Sequence, residues 1–469
     1  MAQNFDIVVI GGGPGGYVAA IRAAQLGATV ALVEKEFLGG TCLNWGCIPS
    51  KALLASAERL YELRHSDQLG IRVSGEVSFD WAAVMNHKER TIRQLRGGVE
   101  LLVKSNGITL IRGAASLMAR DRVKVIGADG VSSELSAKSI VLATGSVEAR
   151  PPIAGLDLPG VIGSTQALSI DAVPASIAII GGGPVGCEFA SVFGNFGSQV
   201  TVIEMMDHIL PLDDVEIGNG LAKAFGRQKI NVLTSAKVER VVQANGKLQV
   251  DVTIGGETKG IEVDTVLVAV GRSPYVEGLG LDRIGVAMDR RSIKVDDRME
   301  TSIPGIYAVG DATGKMPLAH VASAQGEVAV ENALGHERTM DYSVIPSAVY
   351  TIPQVASVGL NEEKARAAGH DITVGSFSFQ GLGRAIAARD TDGFVKVIAD
   401  KKWGRILGVH ILHSRASDII EEAVVAMKLE SSVDDLVAAI HPHPTYTEAI
   451  AEAALASQGR AIHLPAKKK

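Results

Sequence analysis

The sequence predicts an α/β protein with an internal repeat, completed by an α+β C-terminal part, and three observations carry that prediction. A strand, a glycine turn, an Ala-rich helix and a second strand fill residues 5–34. The same unit returns at residues 176–204 in constant register, an offset of 170 that carries Gly11 onto Gly181. After residue 345 the pattern changes to β-like runs followed by two amphipathic helices.

Composition bounds what such a chain can do. At 469 residues it is too long for one hydrophobic core. Its 52 glycines cluster in short turns rather than in a low-complexity tract, which favours tight backbone around ligands over disorder. A net charge of -6 gives no reason to expect nucleic acid or an anionic membrane as partner. No apolar run approaches the ~18 residues of a membrane span, and the N-terminus lacks a basic n-region, so a cytoplasmic location is expected. Lys467-Lys468-Lys469 is expected to be a solvated tail. Three cysteines cannot build a secreted disulfide framework. A zinc site is the weaker option, because no His or third Cys lies near Cys42 and Cys47; no metal is expected.

The first unit runs as a strand from Phe5 to Ile10, a helix from Tyr17 to Leu26 and a strand from Thr29 to Val33. Its copy runs from Ile177 to Ile180, through a helix to about Phe196, then from Gln199 to Ile203. Gly11, Gly13 and Gly16 map to Gly181, Gly183 and Gly186, and Glu34 maps to Glu204. Each position has a physical role in a Rossmann-like dinucleotide site. The first glycine permits the turn, the second lets a pyrophosphate approach the backbone, and the third lets the helix pack closely. The helix N-terminus offers unpaired N–H groups to phosphate. Glu34 and Glu204 end their strands where a carboxylate can accept ribose hydroxyls. A carboxylate at Glu204 followed by Met205-Met206-Asp207 also disfavours a 2′-phosphate, so the second site should take NAD rather than NADP.

Further strands fit the same plan. Ser139 to Ala143 runs into Thr144-Gly145, Thr265 to Val270 runs into Gly271-Arg272, and Ile306 to Val309 runs into Gly310-Asp311. Val349 to Val358, Ile372 to Phe379, Gly393 to Asp400 and Gly404 to His410 suggest an antiparallel sheet. Helices follow at about Ala416 to Leu429 and Val433 to Ile440.

Cys42 and Cys47 stand in Gly39-Gly40-Thr41-Cys42-Leu43-Asn44-Trp45-Gly46-Cys47-Ile48-Pro49-Ser50-Lys51, ahead of a helix to about Leu63. A helix N-terminus and Lys51 would both favour thiolate, which disulfide exchange requires. Two buried structural thiols are the plainer alternative. Cys187, alone inside the second unit's helix, reads as core packing. Far down the chain, His443 lies between prolines with Glu448 five residues on. A carboxylate on one imidazole nitrogen raises the basicity of the other, as an acid–base for a thiol needs. His320, His410 and His413 have weaker claims.

In this order the motifs resemble the FAD-dependent pyridine nucleotide–disulfide oxidoreductases, across essentially the whole chain and most specifically from Gly39 to Lys51. The resemblance implies an FAD-binding domain at 1–148, an NAD-binding domain at 149–271, a central domain at 272–345 and a dimerisation domain at 346–469. It assigns Gly11, Gly13, Gly16, Glu34, Lys51, Gly113, Ala143, Thr144, Gly145, Gly310, Asp311, Ala319 and His320 to FAD. Gly181, Gly183, Gly186, Glu188, Glu204 and Gly271 would serve NAD. It further implies that Cys42 exchanges with substrate, Cys47 faces the flavin, Lys51 and Glu188 form an ion pair beside it, and His443 with Glu448 is the acid–base of a homodimer. The similarity is greatest to members that oxidise protein-bound dihydrolipoamide. The implied partners are the lipoyl domains and acyltransferase core of 2-oxo acid dehydrogenase complexes, or the lipoyl carrier of a glycine cleavage system. A sister reductase acting on glutathione or mercuric ion, and a flavin-bound scaffold, are the competing readings. Two departures stand out: Trp45 where relatives often have Val, and Ile411-Leu412-His413-Ser414 where they more often turn on Gly or Pro.

Overall fold

A computed structural model describes residues 3–465, so the expected tail at Lys467–Lys469 lies outside the described residues. The chain forms two compact units, one of Met1–Ala52, Ala83–Ala149 and Gly271–Asp341, the other of Leu53–Ala82, Arg150–Val270 and Tyr342–Lys469.

The first unit is built on a seven-stranded sheet. Gln3–Ile10 lies at its centre, parallel to Val30–Glu34 on one side and to Ser132–Leu142 on the other. These strands read as continuous apolar runs because both faces of a parallel sheet are covered; Val30–Glu34 is buried throughout. The strand predicted from Ser139 to Ala143 is the end of the longer Ser132–Leu142. Its first half pairs antiparallel with Arg122–Ile126, and its last residues pair in parallel with Ile306–Ala308. The helix after the turn spans Pro14–Gln25, starting earlier than its apolar pattern suggested. Pro14 supplies the preset φ that suits a first helical position. The cysteine segment is two helices, Gly40–Trp45 and Cys47–Arg64, broken at Gly46.

In the second unit the repeat forms a five-stranded parallel sheet, with Ser176–Ile180 between Gln199–Ile203 and Thr265–Val268. A three-stranded antiparallel sheet covers Ala236–Val263. The C-terminal sheet has five strands in the order Pro346–Val349, Gln354–Gly359, Ile406–His413, Phe394–Asp400, Ile372–Ser378. The run predicted from Val349 to Val358 is thus a hairpin, since Pro353 cannot donate to a ladder. Helices Ala416–Lys428 and Glu448–Ser457 cover this sheet. The second sits unusually close: a Cβ at Gly375 would lie 2.1 Å from both Ala453 O and Ser457 N. Glycine at 375 therefore seats the helix that begins with Glu448.

A buried ion cluster joins the repeat to the C-terminal sheet within this unit. Lys396 Nζ lies 3.0 Å from Asp214 Oδ1 and 3.1 Å from Glu362 Oε2, with the Lys396 side chain 1% exposed and that of Asp214 2%. Asp214 also caps the helix Val215–Arg227, accepting from Glu216 N. Burial works to raise the Asp214 carboxyl, but the hydrogen bond and charge of Lys396 hold it below the ordinary range. Its contribution to stability is therefore complete above the unfolded value of about 3.9 and is lost as pH falls through the lower folded value.

Lys396→Met should lower the unfolding free energy by about 3–5 kcal/mol, because Asp214 stays buried without its cation. In urea titrations the gap from wild type should hold between about pH 5 and 8 and close below about pH 4. A gap under about 1 kcal/mol at neutral pH would show the pair to be dispensable.

Candidate active site

Each glycine turn is shaped by close approaches that a side chain would block. Gly11 has φ +106°, and a Cβ there would lie 2.3 Å from Ala143 O, so the strand end Ala143-Thr144-Gly145 presses directly on the turn. At Gly16 a Cβ would meet Gly11 O at 1.8 Å. The repeat reproduces both contacts, with Gly181 against Ala269 O at 2.5 Å and Gly186 against Gly181 O at 1.9 Å. The third glycine thus lets the helix ride on the turn's own carbonyl.

Glu34 and Glu204 are buried, and each does work that the sequence reading did not include. Glu34 Oε2 accepts from Gly12 N at 2.7 Å and Oε1 from Glu36 N at 2.8 Å. Glu204 Oε2 accepts from Gly182 N at 2.7 Å and Oε1 from Met206 N at 2.8 Å. The carboxylates hold the glycine turns open. An ionised carboxylate has about four acceptor positions, so two remain for ribose hydroxyls. The helix N-caps Gly13 and Gly183 are extended and make no side-chain cap, which leaves the first-turn N–H groups directed outward, as a pyrophosphate requires. Around Gly183 a Cβ would meet nothing within 4 Å. Both turns therefore fit a dinucleotide.

The first unit gathers Gly11, Gly13, Gly16, Glu34, Cys42, Cys47, Lys51, Gly113, Ala143, Thr144, Gly145, Gly310, Asp311, Ala319 and His320. Gly113 N donates to Glu34 O at 3.0 Å, beside the acid. Gly271 also falls in this unit, although the expected nucleotide site of its group lies in the other. Asp311, on a short turn whose Gly310 N donates to Gln325 Oε1 at 2.7 Å, accepts from the Ser146 hydroxyl. Ser146 Oγ in turn accepts from Arg272 Nε at 2.7 Å, and Arg272 Nη2 reaches Thr41 Oγ1 at 3.5 Å, next to Cys42. Ser146 and Arg272 were missed in the sequence. Their one signal is that each follows a glycine at a strand end. Ala319 opens the helix Ala319–Ala333, and His320 is exposed on its first turn.

Cys42 and Cys47 lie on successive helices and are thiols hydrogen-bonded to each other. What brings them together is Gly46: a Cβ there would lie 3.0 Å from Thr41 O and 3.4 Å from Cys42 Cα. Asn44 locks the first helix, with Nδ2 donating to Leu38 O at 3.1 Å and Gly40 O at 2.9 Å. Arg96 clamps Asn44 Oδ1 from Nε at 3.0 Å and Nη2 at 2.7 Å, with its guanidinium 3.8 Å from the Phe37 ring centroid. Trp45 lies beside the same ring, its centroid 6.1 Å from that of Phe37.

At Cys42 the surroundings work against a thiolate. Its hydrogen bond with Cys47, burial and the neighbouring charge push the Cys42 thiol up, and Lys51 only partly opposes them. Two thiols in such contact titrate as a pair, and the second proton is held hard. Removing it calls for a base. Tyr17 is drawn into the same field, its hydroxyl raised by burial and by Cys42.

The second unit gathers Gly181, Gly183, Gly186, Glu188, Glu204, His443 and Glu448. Glu188 is buried on the helix Pro184–Asn195 and accepts from Tyr350 N at 3.1 Å. Cys187 is fully buried beside it, donating to Gly182 O at 3.2 Å. His443 Nδ1 lies 2.8 Å from Glu448 Oε1, while Glu448 Oε2 accepts from Thr445 N at 2.8 Å. The His443 side chain is 77% exposed, so Nε2 is presented outward. Burial works to raise Glu448, yet Thr445 N–H and His443 hold it below the usual carboxylate range. Before the loop, His441 Nε2 lies 2.6 Å from Glu422 Oε1, and the carboxylate raises this imidazole. His410 bonds Ser357 Oγ and Leu360 O, each at 3.0 Å, and is structural.

Comparison with known proteins agrees with this geometry. Residues 5–326 match the family described as pyridine nucleotide-disulphide oxidoreductase, and residues 345–454 match that family's dimerisation domain. The chain is 43% identical to a dihydrolipoyl dehydrogenase of Chlamydia muridarum over 472 aligned residues, covering all of both chains. It is 40% identical to the Bacillus subtilis dihydrolipoyl dehydrogenase, covering 99% of this chain and all of that one. Among solved structures, LpdA from Mycobacterium tuberculosis superposes with a TM-score of 0.88 at 28% identity, covering 97% of this chain and 99% of the other. The HOCl-induced flavoprotein disulfide reductase RclA from Escherichia coli gives 0.85 at 30% identity, covering 96% and 99%.

Gly46→Ala should wedge the two cysteine helices apart. In a glutathione redox buffer the disulfide–dithiol equilibrium should move toward dithiol by about tenfold, about 30 mV for a two-electron couple. An unchanged midpoint would mean that Gly46 does not set the approach of the pair.

Proposed function

The chain belongs to the pyridine nucleotide–disulphide oxidoreductase family, and from that premise we propose that it oxidises protein-bound dihydrolipoamide to lipoamide and reduces NAD. The observation that carries this reading is the contact of Cys42 with Cys47 in the unit that holds the first dinucleotide turn. FAD, the family's cofactor at that turn, carries two electrons from a dithiol to a nicotinamide.

The protein's own residues perform the thiol chemistry. With Cys42 and Cys47 joined as a disulfide, His443 takes the proton of one substrate thiol. The resulting thiolate attacks Cys42 Sγ, the Cys42–Cys47 bond breaks, and Cys47 leaves as thiolate. The second substrate thiol then attacks the substrate sulfur bonded to Cys42, closing lipoamide and releasing Cys42. Cys42 leaves with the proton that His443 holds, and His443 takes the proton of the second thiol, so the site ends with a Cys42 thiol, a Cys47 thiolate and a protonated His443. Glu448 keeps the His443 tautomer that leaves Nε2 free to act. The raised Cys42 thiol fits a group that leaves by taking a proton, which His443 returns to it. Lys51, one turn beyond Cys47, and Glu188 are assigned to the flavin and nicotinamide surroundings. In this reading His443 serves the disulfide of the other subunit in a homodimer, for which the dimerisation domain provides the module.

Glu204 and the backbone amide it holds at Met206 leave no cation for a 2′-phosphate, which supports NAD over NADP. The lipoyl group would be carried by a lipoyl domain of a 2-oxo acid dehydrogenase complex, with its acyltransferase core, or by a glycine cleavage carrier. A cytoplasmic setting suits a dithiol that must be regenerated.

Purified protein should reduce NAD with dihydrolipoamide and should not reduce glutathione disulfide with NADPH; the reverse pattern would sink the reading. Glu448→Gln should cost about 10²-fold in kcat, at the lower end of what a positioned acid–base contributes. Mixing inactive Cys42→Ser and His443→Ala chains should restore partial activity, and no recovery from proven mixed dimers would exclude a shared site.

A further inference from the structure

The loop that carries His443 is held from behind by a group of residues that the reaction itself does not use. Tyr446 lies between His443 and Glu448 in the chain. Its ring centroid is 4.7 Å from that of His413 and 6.3 Å from that of Phe379, and the Arg384 guanidinium stands 5.7 Å over it. Its hydroxyl faces the Asp390 carboxylate.

His413 is the hub. It is fully buried at the end of the strand Ile406–His413 and stacks on Phe379 with centroids 3.8 Å apart and planes 22° from parallel. Its Nδ1 accepts from Arg415 N at 3.2 Å, which places the ring proton on Nε2, where it donates to Asp390 O at 3.0 Å. Asp390 also receives the Ser414 hydroxyl. One aspartate thus ties three separate turns together: its own, the 413–415 turn and the catalytic loop. Asp390, Asp392 and Arg415 are the charged groups facing His413, and Arg384 adds to them around Tyr446. Burial keeps the imidazole neutral against the pull of Asp390.

We propose that Asp390, His413 and Tyr446 are positioning residues for the acid–base His443, fixing through the Tyr446 ring and hydroxyl where the His443–Glu448 pair stands. The proposal rests on the thiol-oxidising role given to His443 above.

The test uses the full-length holoenzyme. Tyr446→Phe keeps the ring and removes only the tie to Asp390; Asp390→Ala removes the tie from the other end. Each should lower kcat for NAD reduction by dihydrolipoamide about tenfold, a fraction of the about 10²-fold that a misplacement near 1 Å can cost. The acid limb of the kcat–pH profile should move with it, since His443 changes its setting. Reduction of an artificial electron acceptor by NADH, which bypasses thiol exchange, should stay within about twofold. The double variant should be no slower than the slower single one, because both break one link. Additive losses, an unmoved acid limb, or a parallel fall in acceptor reduction would each overturn the proposal. Wild-type protein that fails to oxidise dihydrolipoamide would instead overturn the functional reading, so the two failures are separable.

Discussion

A glutamate carboxylate that holds a backbone amide in a glycine turn is the contact on which both halves of the repeat depend. Gly12 N and Gly182 N each donate 2.7 Å bonds to a buried acid at the end of the neighbouring strand. Without that acceptor, each amide would be buried and unpaired, at a cost of about 1–3 kcal/mol. With it, the turn is drawn toward the strand end, and the following helix starts at a glycine that caps nothing. The same carboxylate keeps free lone pairs facing the place where a ribose would lie. One residue therefore shapes the glycine turn and keeps two acceptor positions unused by the backbone.

The thiol pair depends on a comparable economy of space. Gly46 lets two successive helices meet, Asn44 fastens the first to the backbone of its own turn, and Arg96 fastens Asn44 from a distant helix. The pair is then so close that each sulfur is the other's strongest neighbour. That proximity, more than Lys51 or the helix dipole, decides the protonation of Cys42. A redox pair held this way exchanges readily as a disulfide but needs an external base when its substrate arrives as a thiol.

The C-terminal sheet contributes rigidity at two scales. Lys396, buried among Asp214 and Glu362, joins this sheet to the nucleotide-binding repeat of the same unit. Nearer the site, Gly375 seats the helix headed by Glu448, while His413 and Asp390 hold the loop that precedes it. His443 itself is exposed, so its placement is inherited from these buried neighbours rather than from its own packing.

Much of this was legible in the residues alone. Parallel strands advertise themselves as apolar runs, and glycine turns at an offset of 170 announce the repeat, because backbone sterics demand glycine whatever surrounds them. Cys42, Cys47, His443 and Glu448 were visible because few residue types can do their chemistry and they stand close in the chain. What the residues could not disclose were partners set by folding across long separations. Ser146 with Arg272, Asn44 with Arg96, Lys396 with Asp214 and Asp390 with Tyr446 are 126, 52, 182 and 56 positions apart. The direction of the Cys42 shift also came only from the fold. Local sequence placed a cation near the sulfur, and packing set against it a hydrogen bond to Cys47 and the loss of water around the thiol. Hydrogen-bond geometry and burial belong to the folded chain, and a sequence does not contain them.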